Sequence, residues 1–346
     1  MNVREQGKDR MATIQDLSER CGVSVSTVSK ALNGYSDISE KTRDIVIKTA
    51  NELGYFPNAN TRALKLKKTY NIGVLFNTLS NLGLKNDYFA YILEAFRDEA
   101  AKNGYDITFI EHNVGRRKMT YLEHCQYRRF DGVCIVCADY ENEEVIELAN
   151  SDIPVITIDY AFQRAYSIIS DNYGGMKQLT NFIIRQGHRD IAFIYGVNSL
   201  VTRNRMEGFM DAMEENGIKV VKEYLRESLY RNSLMTEEQA LKLLKLPNRP
   251  TCIIAPDDTS AMGVVSAVRK IGLQVVKDIS IAGYDRGDLQ HYIGVKLTTV
   301  KQERERIGCE AAKRLIQMIE GYVELPQNTI YMKQSLIIGN SIKKIN

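Results

Sequence analysis

The chain has 346 residues, 44% hydrophobic and 26% charged, which allows a sizeable core and about two or three domains. It has no apolar run of about 18 residues, and its opening, MNVREQGKDR, lacks the apolar middle of a secretion signal. A membrane partner and export are therefore not expected, and the cytoplasm is the expected location. The formal net charge of +3 is unevenly placed: residues 1–70 carry a net of +4 and the remainder a net of −1, as expected if the N-terminal fifth faces phosphate.

Cysteine and histidine usage narrows the chemistry further. Six cysteines in a chain of this length do not make a disulfide framework. Cys134 and Cys137 mimic a CxxC pair, but DGVCIVCADY reads as a buried strand, in which residues three apart point to opposite faces. Four scattered histidines show no ligand spacing, so neither a structural metal nor a cofactor is expected.

Residues 1–11 read as a mobile tail. From Thr13 the helix signals are dense. Thr13 with Asp16 makes a capping-box-like start, Ile14, Leu17 and Cys21 fall at helical spacing, and Gly22 supplies a stop. Ser24 caps a second helix expected to end at Gly34. Ser39 caps a third, whose stripe of Thr42, Ile45, Val46, Thr49, Ala50 and Leu53 precedes Gly54. On a helical wheel, Val25, Val28, Ala31 and Leu32 share one side of the middle helix and are expected to pack against its neighbours. Ser26, Ser29, Lys30 and Asn33 share the other, a flat, short-armed, hydrogen-bonding face suited to a nucleic-acid groove. A helix, a short turn with glycine and a polar-faced helix form the helix-turn-helix pattern; a solvated surface helix is the alternative.

The segments ATIQDLSERCGVSVSTVSKALNG and ISEKTRDIVIKTANELGYFPNANTRAL resemble the head of the lactose-repressor (LacI/GalR) family of bacterial regulators over about 55 residues in register. The resemblance implies that Val25, Ser26 and Lys30 lie where family members read base edges, with Thr13, Ser24, Thr27, Ser29 and Asn33 mainly positioning the DNA backbone. Arginine is common where Lys30 stands; lysine lacks the bidentate fork, so a contact to guanine is expected to discriminate less sharply.

The stretch 58–69 reads as a hinge and linker. It has room for only about two helical turns, unstable alone because nucleation is costly. The resemblance implies paired hinge helices in the minor groove, with Leu64 as the residue that wedges between base steps, Arg62 beside it, and Asn58 and Ala59 at the helix start. Asn60 and Thr61 replace the more usual alanines and lower helix propensity.

From Asn71 short apolar runs (NIGVLF, ITFIEH, DGVCIVC, IPVITID, IAFIYG, TCIIAPDD, ISIAGYD) alternate with helical stretches such as 88–103, 259–271 and 303–320. This is the pattern of α/β, doubly wound parallel sheets, and about 275 residues exceed one comfortable core, so two lobes are expected. There is no GxGxxG after the first strand, no GxSxG and no P-loop. Strand ends carry Asp159, Asp257 with Asp258, and Asp285, where open α/β sheets bind ligands; each could instead be a helix cap or loop carboxylate.

The same family resemblance continues to the C-terminus through DYFAYILEAFRDEAAKNGYD, ISDNYGGMKQLTNFIIRQGHRDIAFI, RMEGFMDAMEENGI and DDTSAMGVVSAVRKIGLQVVKDISIAGYD, and implies a periplasmic-binding-protein-like effector domain. It makes Tyr88 and Phe89 pocket residues, Arg205 the effector clamp, Asp257 a contact and Asp285 the acidic partner from the far lobe, with Asp159 and Tyr160 as further candidates. Asp171 reads as a lobe-hinge or capping residue, and NTLSNLGLKND before Tyr88 is longer than the loop common there. The expected division is a head over 12–57, a linker over 58–69 and an effector domain over 70–346. One lobe is expected from about 70–168 and 299–326, the other from about 169–298 and 327–346. The resemblance implies a homodimeric repressor on a pseudo-palindromic operator, controlled by a small molecule, a sugar by family frequency, from a carbohydrate-utilisation operon. A solute-binding sensor or a cytoplasmic sugar-processing enzyme is the alternative.

Overall fold

The structure is a computed structural model, described over residues 12–56, 68–77, 83–285, 294–322 and 329–345. The tail 1–11, the hinge residues Asn58, Ala59, Arg62 and Leu64, and part of the long loop before Tyr88 lie outside the described residues. The chain divides into two compact units, Met1–Tyr70 and Asn71–Asn346.

The first unit holds α1 (Ile14–Cys21), α2 (Val25–Leu32) and α3 (Glu40–Leu53). Local chemistry sets the boundaries. The Thr13 hydroxyl accepts from the Asp16 amide while the Asp16 carboxylate accepts from the Thr13 amide, and Ser24 and Ser39 cap α2 and α3 through the amides of Thr27 and Thr42. Gly22 and Gly54 close α1 and α3 at positive φ. Leu17, Val28, Ala31, Val46 and Ala50 form the core, flanked by Ile14, Leu32 and Leu53. Two details differ from the sequence reading. Helix α2 ends at Leu32 with Asn33 as its cap, so Gly34 belongs to the following turn. Val25 is 39% exposed, because its place at the start of α2 lies past the edge of the three-helix core; Ile45, on the flank of the α3 stripe, is 46% exposed.

The second unit contains two parallel sheets. The first runs β13 (Thr329–Met332), β7 (Tyr166–Ser170), β6 (Val155–Ile158), β5 (Gly132–Cys137), β1 (Asn71–Phe76), β2 (Asp106–Phe109), with a small hairpin of β3 (Asn113–Val114) and β4 (Arg117–Lys118) nearby in sequence. The second runs β11 (Ser280–Ala282), β10 (Cys252–Ile254), β8 (Ile191–Tyr195), β9 (Leu225–Glu227). All neighbouring strands in both sheets are parallel. Their interior strands are nearly all apolar, as helices on both faces require. In the first lobe these are α4 (Asp87–Lys102), α5 (Tyr121–Arg128), α6 (Glu143–Ala149) and α11 (Arg304–Ile319). In the second they are α7 (Asn172–Arg185), α8 (Leu200–Glu215), α9 (Ser233–Leu244) and α10 (Asp258–Lys270). Cys134 is fully buried in β5, and burial pushes the Cys137 thiol up to about 12.

The chain passes between lobes three times, and the lobe boundaries differ from those read in the sequence. β7 runs to Ser170, so the first crossing comes after residue 170 rather than at 168. β12 (Thr299–Lys301) pairs antiparallel with β14 (Ser335–Ile337), and Val300 lies in the second lobe's core, so the second crossing follows residue 301. β13 hydrogen-bonds to β7 in the first sheet, so the last return comes after residue 332, not at 327. β12, β13 and β14, of three or four residues, satisfy their backbone groups on partners distant in sequence, a constraint with no local sequence signature.

Candidate DNA interface and effector cleft

On α2, Val25, Ser26 and Asn33 are exposed, and Ser29 and Lys30 partly so. Several hydroxyls expected to position DNA also hold the protein's own helix ends. Ser24 Oγ lies 2.9 Å from Thr27 Oγ1, Thr13 Oγ1 donates to Asp16 at 2.7 Å, and Asn33 Nδ2 donates to the Ser29 carbonyl at 2.6 Å. Lys30 is ion-paired with Asp37 of the turn that follows.

In the second unit all strands of each sheet run one way, so their carboxyl ends lie along one edge, where open α/β sheets bind ligands. At the end of β6, Asp159 adopts φ 55°, a left-handed conformation costly for a non-glycine residue. Its Oδ1 accepts the Ser170 amide at 2.8 Å and its Oδ2 accepts the Tyr88 hydroxyl at 2.5 Å, so β6, β7 and the first turn of α4 meet on one carboxylate. Burial pushes the Asp159 carboxyl up, and burial together with the Asp159 charge pushes the Tyr88 hydroxyl well up.

Arg205, on α8, is 3% exposed. Its Nε donates to Asn172 Oδ1 at 2.9 Å, Nη1 to the Pro256 carbonyl at 3.1 Å and Nη2 to Asp285 Oδ1 at 3.4 Å. The guanidinium lies 3.6 Å from the centroid of the Tyr284 ring. Burial opposes its charge, but Tyr230, Tyr284 and Asp285 outweigh burial and hold the group protonated. Asp285, at φ 87°, also accepts from the Gln302 amide; Gln334 donates to Gln302 at 3.1 Å and accepts from the Tyr284 hydroxyl. Asn172, Gln302 and Gln334 stand at the first, second and third crossings between the lobes, so one arginine–aspartate pair is tied to all three.

Tyr88, Asp159, Arg205 and Asp285 thus come within electrostatic reach of one another. Phe89 stands beside them, in edge contact with Tyr88 (5.1 Å) and Phe76 (5.6 Å). Tyr160 turns into an aromatic cluster instead, stacked on Tyr140 at 4.4 Å and against Phe162 at 4.9 Å. Asp257 is engaged within the protein. It is 1% exposed, caps α10 through the Ser260 amide and hydroxyl, and accepts the Arg231 amide at 2.7 Å. Burial, then the Asp285 charge, pushes it up. Asp171 caps α7 through the Gly174 amide.

Sequence reading missed Ser170, Asn172, Tyr230, Tyr284, Gln302 and Gln334, and also Arg231. The Arg231 side chain, from the second lobe, pairs with Asp87 of α4 in the first, which Arg304 also approaches at 4.0 Å. Ser170, Asn172 and Tyr284 adjoin residues already singled out, in SDN and GYD, so an accessible signal existed for them. The other residues carried none.

Two family models match the chain: bacterial regulatory proteins of the lacI family over residues 13–58, and the periplasmic binding protein-like domain over residues 180–342. The HTH-type transcriptional repressor PurR of Vibrio parahaemolyticus is 31% identical over 346 residues, covering 97% of this chain and 100% of the relative. PurR of Pasteurella multocida is 31% identical over 339 residues, covering 96% and 99%. Among solved structures, the Lac repressor dimer bound to operator and the anti-inducer ONPF superposes with a TM-score of 0.83 at 25% identity, covering 96% of this chain and 100% of that one. The transcriptional regulator CelR in complex with cellobiose has the same fold, with a TM-score of 0.69 at 21% identity over 95% and 99% of the two chains. This chain belongs to the lacI family of bacterial regulatory proteins, and is a DNA-binding transcriptional repressor of that family.

Proposed function

We propose that the protein is a cytoplasmic homodimer that reads a pseudo-palindromic operator with α2 and responds to a small ring-shaped effector held between the lobes by Arg205, Asp285, Asp159 and Tyr88. The observation that carries the effector reading is the convergence, among aromatic rings, of a buried cation and two carboxylates from both lobes, with the cation's network reaching all three lobe crossings. Carboxylates accept from ligand hydroxyls, the guanidinium donates, and aromatic faces exclude water and stack on a ring.

A sugar or sugar derivative satisfies this chemistry, and the carbohydrate-operon reading rests on it. The relatives' names do not carry a sugar with them. The aromatic rings of Tyr88, Phe89 and Phe76 favour a second reading, a planar nucleobase-type heterocycle recognised edge-on by Asp285 and Arg205. Coupling to DNA would run through residues 58–69, with Leu64 as the minor-groove wedge.

The test is calorimetric titration of the full chain with panels of mono- and disaccharides and of purine and pyrimidine bases. In parallel, gel shifts are run on duplexes selected from random DNA. One panel is expected to bind without turnover and to change the gel shift. Arg205→Ala is expected to abolish that response while DNA binding stays, and Leu64→Ala to weaken DNA binding while ligand binding stays. A ligand titration unchanged by Arg205→Ala moves the pocket elsewhere, and steady product formation overturns the non-enzymatic reading.

A further inference from the structure

The turn after α2 is anchored at both ends. The Tyr35 amide donates to the Lys30 carbonyl at 3.1 Å, and the Tyr35 carbonyl accepts from Arg43 Nη2 at 2.8 Å. Ile38 packs against the head's core and Ser39 caps α3 through the Thr42 amide. Asp37 lies between these fixed points, and its carboxylate holds the Lys30 ammonium; the two side chains are 53% and 44% exposed. The turn is therefore the fixed partner, and the long lysine stem the one that is held. The pair strengthens both charges: Asp37 raises Lys30, and Lys30 lowers Asp37.

A carboxylate on the face that approaches phosphate opposes binding to every sequence alike. Its chemistry pays off only at a base edge. Across the major groove a G·C pair presents N7 and O6 acceptors on guanine and then the N4 amino donor on cytosine, whereas an A·T pair presents acceptor, donor, acceptor. An ammonium with a carboxylate beside it complements the first order. Against A·T, the carboxylate of a pair set in that order would meet the thymine O4 acceptor and be repelled, which is discrimination by a misplaced charge. Lysine alone lacks arginine's fork, and the neighbouring carboxylate supplies the missing second point of contact.

We propose that Lys30 and Asp37 act as one reading element for a single G·C pair in each half-site, Lys30 donating to guanine and Asp37 accepting from the cytosine amino group. This makes Asp37 a specificity-determining residue, and it rests on the reading of α2 as the base-facing helix.

The test is selection of bound sites from a random duplex library by the full-length wild type, Asp37→Asn, Lys30→Met and the double variant. Affinities are then measured across a salt series, and thermal transitions check that each variant folds. The wild type is expected to select one G·C pair per half-site. Asp37→Asn should relax that preference by about tenfold, Lys30→Met should relax it at the same position, and the double variant should lose little more, because the two act together. If Asp37→Asn tightens binding uniformly across sequences, steepens the salt slope by about one and leaves base preference unchanged, Asp37 is only a neighbouring charge and the pairing is overturned. A wild type that selects no sequence overturns the base-facing reading of α2 and the pairing with it.

Discussion

Arg205→Lys keeps the buried charge and removes the fork. The wild-type guanidinium answers three fixed acceptors, at 2.9 Å on Asn172, 3.1 Å on Pro256 and 3.4 Å on Asp285, and lies over the Tyr284 ring. An ammonium at the end of one stem reaches one of these well. Each acceptor left buried without a partner costs about 1–3 kcal/mol, and loss of the ring contact adds about 1 kcal/mol. Partial relaxation toward Asp285, the most exposed of the partners, offsets some of this, so the second unit should lose about 2–4 kcal/mol. Urea unfolding of the full chain, followed by far-UV circular dichroism, measures the loss as a lower midpoint. Arg203→Lys, two residues away, exposed and bonded to Asn198 at 3.1 Å, is the control and should stay within about 0.5 kcal/mol of wild type. Equal midpoints for the two variants would show that the fork's geometry contributes nothing.

Leu17→Ala empties the largest side chain of the head's small core, at about 2–4 kcal/mol, which is comparable with the whole stability of so small a unit. Binding to selected DNA should disappear while the main urea transition of residues 71–346 stays in place; retained DNA binding would refute it. Acidification should destabilise the second unit through His188. Burial lowers its pKa below the usual 6.5, with Nδ1 2.8 Å from Thr251 Oγ1 and Nε2 3.1 Å from the Lys343 carbonyl. The unfolded chain then binds the proton more readily than the folded one, so stability is full above pH about 6.5 and is lost as the pH falls through the folded pKa. His188→Gln should flatten the fall in urea midpoint between pH 7.5 and 5.5. An unchanged slope would assign the fall to other groups, such as His124, which burial also lowers.

What could be read from the sequence depended on how local the cause was. The caps at Thr13, Ser24 and Ser39 act over three residues, so the head's three helices were legible from spacing alone. The parallel sheets were legible because strands covered on both faces read as plain apolar runs. Tyr166–Ser170 and Thr329–Met332 were not: their polar or aromatic residues interrupt the run, and Thr329–Met332 is a strand because it pairs with Tyr166–Ser170 across some 160 residues of sequence. Asp257 carries two signals at once: its strand-end position points to a ligand contact, while a serine three residues on is the signature of a helix cap, and the structure contains the cap.

The three crossings explain how a ligand at Arg205 could alter the relation between the lobes with very little energy. Asn172, Gln302 and Gln334 each sit where the chain changes lobe, and each is bonded directly or through one neighbour to Arg205 or Asp285. A ligand that draws on either charged group must compete with those bonds or complete them. In both cases it favours one arrangement of the crossings over another, and only such a differential contact can shift a conformational equilibrium. Two hydrogen bonds altered at about 1 kcal/mol each already supply the 1–3 kcal/mol typical of allosteric coupling. Gln334→Leu, which cuts the third crossing from the network without touching Arg205 or Asp285, should therefore leave ligand affinity within about tenfold while reducing the ligand's effect on DNA binding. If the coupling stays whole, the crossings are held by their backbone geometry and the side-chain network is incidental.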